Sequence, residues 1–245
     1  VSAEAPIRYF DLRYLERVTL PDGREAGLRL IRPSDRPLFI NGFERLSAES
    51  RYKRFFTPKL RLSQAELDYL INIDGETHFA IGIAVVDANG DPVDDDAGLG
   101  VARFIRLKED WDTAEAAIAV TDDCQGLGLG RLLFKRLVEA AVERGVRRFR
   151  TEVLSSNNAM KGLVESVVQD IEDADIIEHR EGPIMVTDFE LPHPDPQSED
   201  GAELLRTPLY DMLRAAAQGR NVAVKSVAKM LGWHHREQDK EGEAD

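Results

Sequence analysis

Only one cysteine, Cys124, occurs in 245 residues, which excludes an internal disulfide framework and fits a reducing compartment. Histidine is sparse and scattered. His234 and His235 are adjacent rather than one helical turn apart, and His78, His179 and His193 show no grouping, so no zinc centre is expected. Long apolar runs are lacking too. The longest, FAIGIAVV at 79–86, is far too short to span a bilayer, and the opening residues VSAEAPIRYF have no basic-then-apolar leader pattern. A basic excess is missing: 45 acidic residues stand against 32 Lys and Arg, for a net charge of -13. Nucleic-acid binders need a basic face, so that class is excluded, whereas an acidic surface suits cationic partners such as lysine-rich peptides or amines. There is no repeat at solenoid period. These absences lead us to expect a soluble cytoplasmic protein with no metal, membrane or nucleic-acid partner.

What is present reads as a globular chain, 42% hydrophobic and 31% charged. ERVTLPDGREAGLRLIRP, 16–33, reads as two short strands around a Pro-Asp-Gly turn. Ser34 is expected to cap a helix over DRPLFINGFERL, Ser47 one over AESRYKRFF, and Ser63 with Glu66 forms a capping box before LDYLINI. THFAIGIAVVD and GLGVARFIRL read as consecutive strands joined by an acidic loop, whose Asp94–Asp96 run is expected to be solvated. EAAIAVTD, 115–122, is a third strand. A helix over 129–144 follows, with Leu132, Leu133, Leu137, Val138, Ala141 and Val142 on one face. RRFRTEVL, the helix NAMKGLVESVV and the strand pair DIIEH and IMVTDFEL complete this part.

Glycines at 126, 128 and 130 alternate between the third strand and the helix. A bare main chain at a helix start can hold an anion, because the first amides have no helical acceptor and the helix dipole is positive there. Arg131, Lys135 and Arg136 are expected to add local positive charge. A Walker loop would need Gly-Lys-Ser/Thr at its end, and the dinucleotide fingerprint would need GxGxxG; GLGLGRL supplies neither. The plain alternative is a turn that only redirects the chain.

Gln125–Gly130, QGLGLG, resembles the [Gln/Arg]-x-x-Gly-x-[Gly/Ala] motif of the GNAT superfamily of acyl-CoA-dependent N-acyltransferases. The resemblance implies that Gln125, Gly126, Leu127, Gly128, Leu129, Gly130 and Arg131 hold the pyrophosphate of acetyl-CoA. LPDGREAGLRLIRPSDRP, FERLSAESRYKRFF, GLGVARF, AEAAIAVTDDCQGLGLG and VLSSNNAM resemble, more narrowly, the Pat-type bacterial protein lysine acetyltransferases. The likeness covers roughly residues 16 to 165 and is strongest from Gly98 to Met160. It implies that Glu115 is the catalytic glutamate, that main-chain groups around Ala119 and Val120 bind pantetheine and steady an oxyanion, and that Asn157 faces the coenzyme arm.

Chemistry supports a carboxylate in that role. A lysine amine, with an ordinary pKa of about 10.4, must lose a proton before attacking a thioester. Glu115 interrupts an apolar strand, a placement that would make it the better base if buried. The plain alternatives are that Glu115 is an exposed strand-end residue pairing with a neighbouring Arg, and that Asn157 only caps its own helix. Cys124 is expected to be a spacer rather than an acyl carrier, and Arg51 and Tyr52 either line the acceptor side or merely sit on an amphipathic helix. Two departures from the family stand out. Val164 occupies the position of a tyrosine that protonates the leaving thiolate, and no Gly-Phe follows that helix.

The expected architecture is α/β (α+β): a GNAT-like mixed, mostly antiparallel central sheet flanked by helices and opened near its middle, with a C-terminal helical appendage. The expected organisation is an arm at 1–15, the acetyltransferase domain at 16–191, a linker at 192–203, the helical appendage at 204–233 and a disordered charged tail at 234–245. Acetyl-CoA is the expected donor and a lysine-bearing protein the expected acceptor, and the C-terminal helices are expected to pack either on the main domain or on a second subunit, as a homodimer. A small amine or protein N-terminus is the alternative acceptor, and a non-catalytic acyl-CoA sensor the alternative function.

Overall fold

The computed structural model describes residues 8–169 and 176–192. The linker, appendage and tail expected beyond Pro192, and the dimer contact assigned to them, lie outside the described residues.

The Pro-Asp-Gly turn joins β1 (Glu16–Thr19) to β2 (Glu25–Leu30) as a hairpin. Three short helices follow: α1 (Arg36–Glu44), α2 (Ala48–Phe55) and α3 (Gln64–Ile71). The Ser47 hydroxyl accepts from Ser50 N at 3.1 Å, and Ser63 with Glu66 closes the expected capping box. Ser34 is not a cap; it lies inside a 3-10 turn, Pro33–Asp35. Asp35 takes the helix boundary instead. Its buried carboxylate accepts from Arg32 N at 2.8 Å and forks with the Arg29 guanidinium at 2.7 and 2.8 Å.

β3 (His78–Val85), β4 (Gly98–Arg106) and β5 (Thr113–Val120) then run antiparallel in turn. The third strand starts two residues earlier than expected and stops at Val120, because Asp122–Cys124 coils into a 3-10 turn. α4 (Leu129–Glu143) carries the chain across to β6 (Arg148–Leu154), which pairs parallel with β5. α5 (Asn158–Val168), β7 (Ile176–Glu181) and β8 (Ile184–Glu190) complete a sheet of order β1-β2-β3-β4-β5-β6-β8-β7. The sheet is mixed and mostly antiparallel, as the sequence led us to expect.

Alternation along β3 sends Phe79, Ile81 and Ile83 into the larger core and Ala80 into a smaller one with Ile31 and Ile71. The sheet therefore separates two layers. Under α4, Phe79, Phe104, Phe149 and Phe189 form a chain of rings from β3 to β8, with successive centroids 5.3, 6.0 and 6.0 Å apart. That chain ties the two halves of the sheet together beneath β5. The helical face of α4 is as expected, with Leu133, Leu137, Val138 and Ala141 buried and Leu132 and Val142 partly so.

Arg136 is also buried, which corrects its expected role as charge for a phosphate. Its guanidinium holds Glu16 at 2.6 and 2.8 Å and Glu139 at 2.9 Å, so it fastens α4 to β1. Residues 8–15, the described part of the expected arm, pack Phe10 and Tyr14 into this core, and the Tyr14 hydroxyl donates to Glu16 at 2.5 Å.

Candidate active site

β5 and β6 pair over only three residues each: Thr113 with Arg148, Ala114 with Phe149 and Glu115 with Arg150. Beyond Glu115 the strands part. β5 stays with β4 to Val120, while β6 stays with β8 to Leu154. Glu115 is thus the last paired residue of β5, at the apex of a fork whose arm runs roughly 17 Å to Val120. Glu115 is exposed, so the burial that its apolar strand suggested is absent. That exposure is what the plain alternative expected, but the pairing it added is not seen. No ion pair to Glu115 forms among the described residues, and its neighbour Arg150 is committed to Asp188 at 2.8 and 3.1 Å. Glu152 lies two residues beyond Arg150 on β6, and partial burial followed by the charges of Glu115 and Glu181 pushes its carboxyl above the usual range.

Main-chain geometry sorts the candidates on β5. Thr121 N donates to Leu99 O at 2.9 Å, so by strand alternation the N–H and C=O of Ala119 also face β4. Those of Ile118 and Val120 face the open fork. Val120, and the overlooked Ile118, are therefore the residues whose peptide groups can meet a chain lying there, while Ala119 turns its side chain to the opposite layer.

At the mouth of the fork, the turn after β5 is pinned down. Arg45 holds Asp123 at 2.6 Å and Gly98 O at 2.7 Å, Asp122 accepts from Ser47 N at 3.1 Å, and the Gln125 amide reaches Asp122 at 3.1 Å and Val120 O at 3.4 Å. Gln125 thereby braces the loop. Gly126 and Gly128 both adopt φ of +79°, which only glycine takes without strain, and Gly128 leads into α4. The amides of Gly126, Leu127, Gly128, Leu129 and Gly130 find no acceptor among the described residues. A Cβ at 126 or 128 would meet nothing within 4 Å. A bare, open row of donors is what a diphosphate needs, so these residues fit the diphosphate part of such a coenzyme as acetyl-CoA. Arg131 is exposed in the same first turn. Asn157 caps α5, its Oδ1 accepting from Met160 N at 3.2 Å. Close by, the buried Ser155 hydroxyl has no partner among the described residues. Cys124 is buried in the core, in keeping with a spacer.

The opposite layer holds a cavity of about 110 Å³ between the sheet and the helices α1 and α2. Val101, Arg103 and Ala119 are in its sheet wall, and Phe43, Arg54 and Phe55 in its helical wall. Register places Glu115 opposite Ile105 and Ala117 opposite Arg103, so Glu115 and Arg103 share a sheet face as diagonal neighbours. Arg103 donates to His78 Nε2 at 2.9 Å and to Leu70 O at 3.2 Å. Burial, with the charge of Arg54, pushes its guanidinium down to about 9. Burial and the charge of Arg103 push His78 down to about 4, so the ring is neutral and its Nε2 accepts.

Neither arginine was singled out from sequence. The available signal was an arginine between Val101 and Ile105 on a buried strand. Arg51 resolves as structural, donating to Phe43 O and Glu44 O, and Tyr52 is exposed. Val164 is buried, and its side chain offers no proton. Among the described residues there is no group of side chains able to hold a metal, and no helix long and apolar enough to cross a membrane.

The profile of the Acetyltransferase (GNAT) family matches residues 42–167. The chain is 34% identical over 138 residues to Acetyltransferase Pat of Mycolicibacterium smegmatis, covering 56% of this chain and 39% of that protein. It is 32% identical over 145 residues to Acetyltransferase PA5475 of Pseudomonas aeruginosa, covering 59% of this chain and 75% of that one. The fold superposes on the crystal structure of the GNAT domain of S. lividans PAT with a TM-score of 0.62 at 26% identity, covering 74% of this chain and 99% of that domain.

Proposed function

The chain belongs to the GNAT acetyltransferase family, and from that premise we propose that it transfers acetyl from acetyl-CoA to an amine, with Glu115 as general base. The observation that carries this reading is the fork itself: among the described residues, its mouth has amides without an acceptor and its apex a carboxylate without an ion pair, with strand edges between them.

In this reading the amides of Gly126–Gly130 bind the diphosphate, with Arg131 beside them, and the peptide groups of Ile118 and Val120 hold the pantetheine. Acetyl-CoA supplies the thioester carbon. The amine nitrogen forms the new C–N bond, the C–S bond breaks, and the proton shed by the amine goes to Glu115 directly or through one water. The thiol, with an ordinary pKa near 8.5, can leave as thiolate, so the absent tyrosine at Val164 is tolerable. A main-chain N–H at the fork edge steadies the oxyanion. Asn157 serves as helix cap and faces the coenzyme arm. The lone cysteine and the coenzyme pool favour a cytoplasmic setting.

A protein lysine is the first-choice acceptor, supported by the likeness to Pat proteins, although the chain spans only about two fifths of the Pat relative. The test is CoA release on a lysate with labelled acetyl-CoA, followed by mass spectrometry of modified amines. Glu115→Gln should lower kcat/KM by ~100-fold or more while leaving coenzyme affinity in place. Tight coenzyme binding with no turnover, unchanged in Glu115→Gln, would favour the sensor reading instead.

A further inference from the structure

Two buried arginines in the cavity beside Glu115 differ in how their charge is met. Arg29 is neutralised by the bidentate Asp35 carboxylate. Arg103, just as buried, meets a neutral imidazole, a peptide carbonyl and the face of Phe39 at 5.9 Å, but no carboxylate among the described residues. Arg54, half-buried, lines the same cavity from α2, and no hydrogen-bond acceptor or ion pair reaches its guanidinium among the described residues. It lies over the Phe55 ring at 5.2 Å. Glu115 is the carboxylate whose charge acts on Arg54, but from beyond ion-pair distance.

Burying a guanidinium without a counter-charge is costly, and this fold supplies one at Arg29, where structure alone is at stake. Leaving two cations unmatched across one cavity makes physical sense if the anion arrives with the ligand. Guanidinium forks suit a planar carboxylate. The location then fixes which ligand. Glu115 sits on the same sheet face, one diagonal step from Arg103, so a molecule in the cavity can place an amine at Glu115 and an anion at the arginines. A bare cation such as an isolated lysine side chain would meet two positive charges and one negative.

We propose that Arg54 and Arg103 form a carboxylate-recognition site for the acceptor, so that the amine acetylated is one carried together with a carboxylate. This rests on the acetyl-transfer reading above and narrows it. The carboxylate has two possible sources, a free carboxylate on a small molecule or an acidic side chain beside a lysine in a protein. The rest of the chain is strongly acidic, yet this hollow selects for negative charge.

The test compares two matched acceptor pairs by CoA release. Nα-acetyl-lysine against its amide differs only in a free carboxylate. Two single-lysine peptides differ only in Glu or Gln next to the lysine. Wild type should prefer the carboxylate member of at least one pair by about tenfold or more in kcat/KM, and the pair that shows the preference identifies the source. In Arg54→Gln the preference should shrink to threefold or less, with partial recovery in Arg54→Lys; retained coenzyme affinity by calorimetry shows that both variants are folded. Equal turnover within both pairs by wild type overturns the inference, as does a preference that survives Arg54→Gln. Coenzyme binding with no turnover of any acceptor refutes the acetyl-transfer reading itself, and the inference falls with it.

Discussion

Gly130→Ala should make the protein more stable and its coenzyme binding worse. Unlike Gly126 and Gly128, Gly130 has ordinary helical backbone, in the first turn of α4. Alanine is favoured over glycine there by about 0.5–1 kcal/mol. For a domain of this size that raises Tm by roughly 1–4 °C. The new methyl fits the protein without displacement, since its nearest neighbours are Leu163 Cδ2 at 3.5 Å and Val120 Cγ2 at 4.0 Å. Those two atoms belong to α5 and to the end of β5, so the methyl stands at the mouth of the fork, where the proposed binding mode brings in the diphosphate and pantetheine. The expected loss is about tenfold in Kd, or ~1.4 kcal/mol. Calorimetric titration with acetyl-CoA and thermal denaturation of the free protein give the two numbers. A raised Tm with unchanged Kd would refute the placement of the coenzyme, because the methyl would then stand in unused space. A lowered Tm would show that the glycine serves the fold.

Gly128→Ala should behave differently. Its φ of +79° charges an alanine about 1–2 kcal/mol, so Tm and acetyl-CoA affinity should fall together. Arg136→Met strands the Glu16 and Glu139 carboxylates against α4 and should cost about 3 kcal/mol, read from the urea midpoint. Asp35→Asn leaves the buried Arg29 charge half-matched and should cost about 3–5 kcal/mol by the same measurement. His78 is held near 4 in the folded protein against about 6.5 when unfolded, so on acidification the unfolded chain takes up the proton first. Its contribution is complete above pH 6.5 and drains away as pH falls toward 4. The fall of Tm between pH 6.5 and 5, above most carboxylate titrations, should therefore be shallower in His78→Gln than in wild type.

Most of the fold could be read locally. The hairpin at Pro21–Gly23, the Ser47 cap, the Ser63–Glu66 box and the α5 limits each depend on contacts within a few residues. Ser34 failed for a non-local reason. Asp35, one residue on, is claimed by Arg29 from the neighbouring strand, and that buried pair sets where α1 begins. Arg136 failed in the same way, since a basic residue near a glycine loop looks available until Glu16, 120 positions away, is found in its fork.

The candidate site was legible as residues but not as geometry. Nothing in TAEAAIAV marks Glu115 as the last residue that pairs with β6, because the unpaired Ala116–Val120 that follows reads as strand just as readily as a paired segment would. The parting of the strands makes Glu115 an apex and turns the Val120 peptide, rather than that of Ala119, toward the gap. The same limit explains why a chain of net charge -13 suggested cationic partners. A charge sum describes the solvated surface, where screening leaves single residues little influence. On the proposed reading, selection of an acceptor depends instead on the few charges in the cavity beside the apex, where two arginines have no ion-pair partner among the described residues. If acetylated lysines prove to be flanked by basic rather than acidic residues, the surface governs the choice after all and the cavity does not.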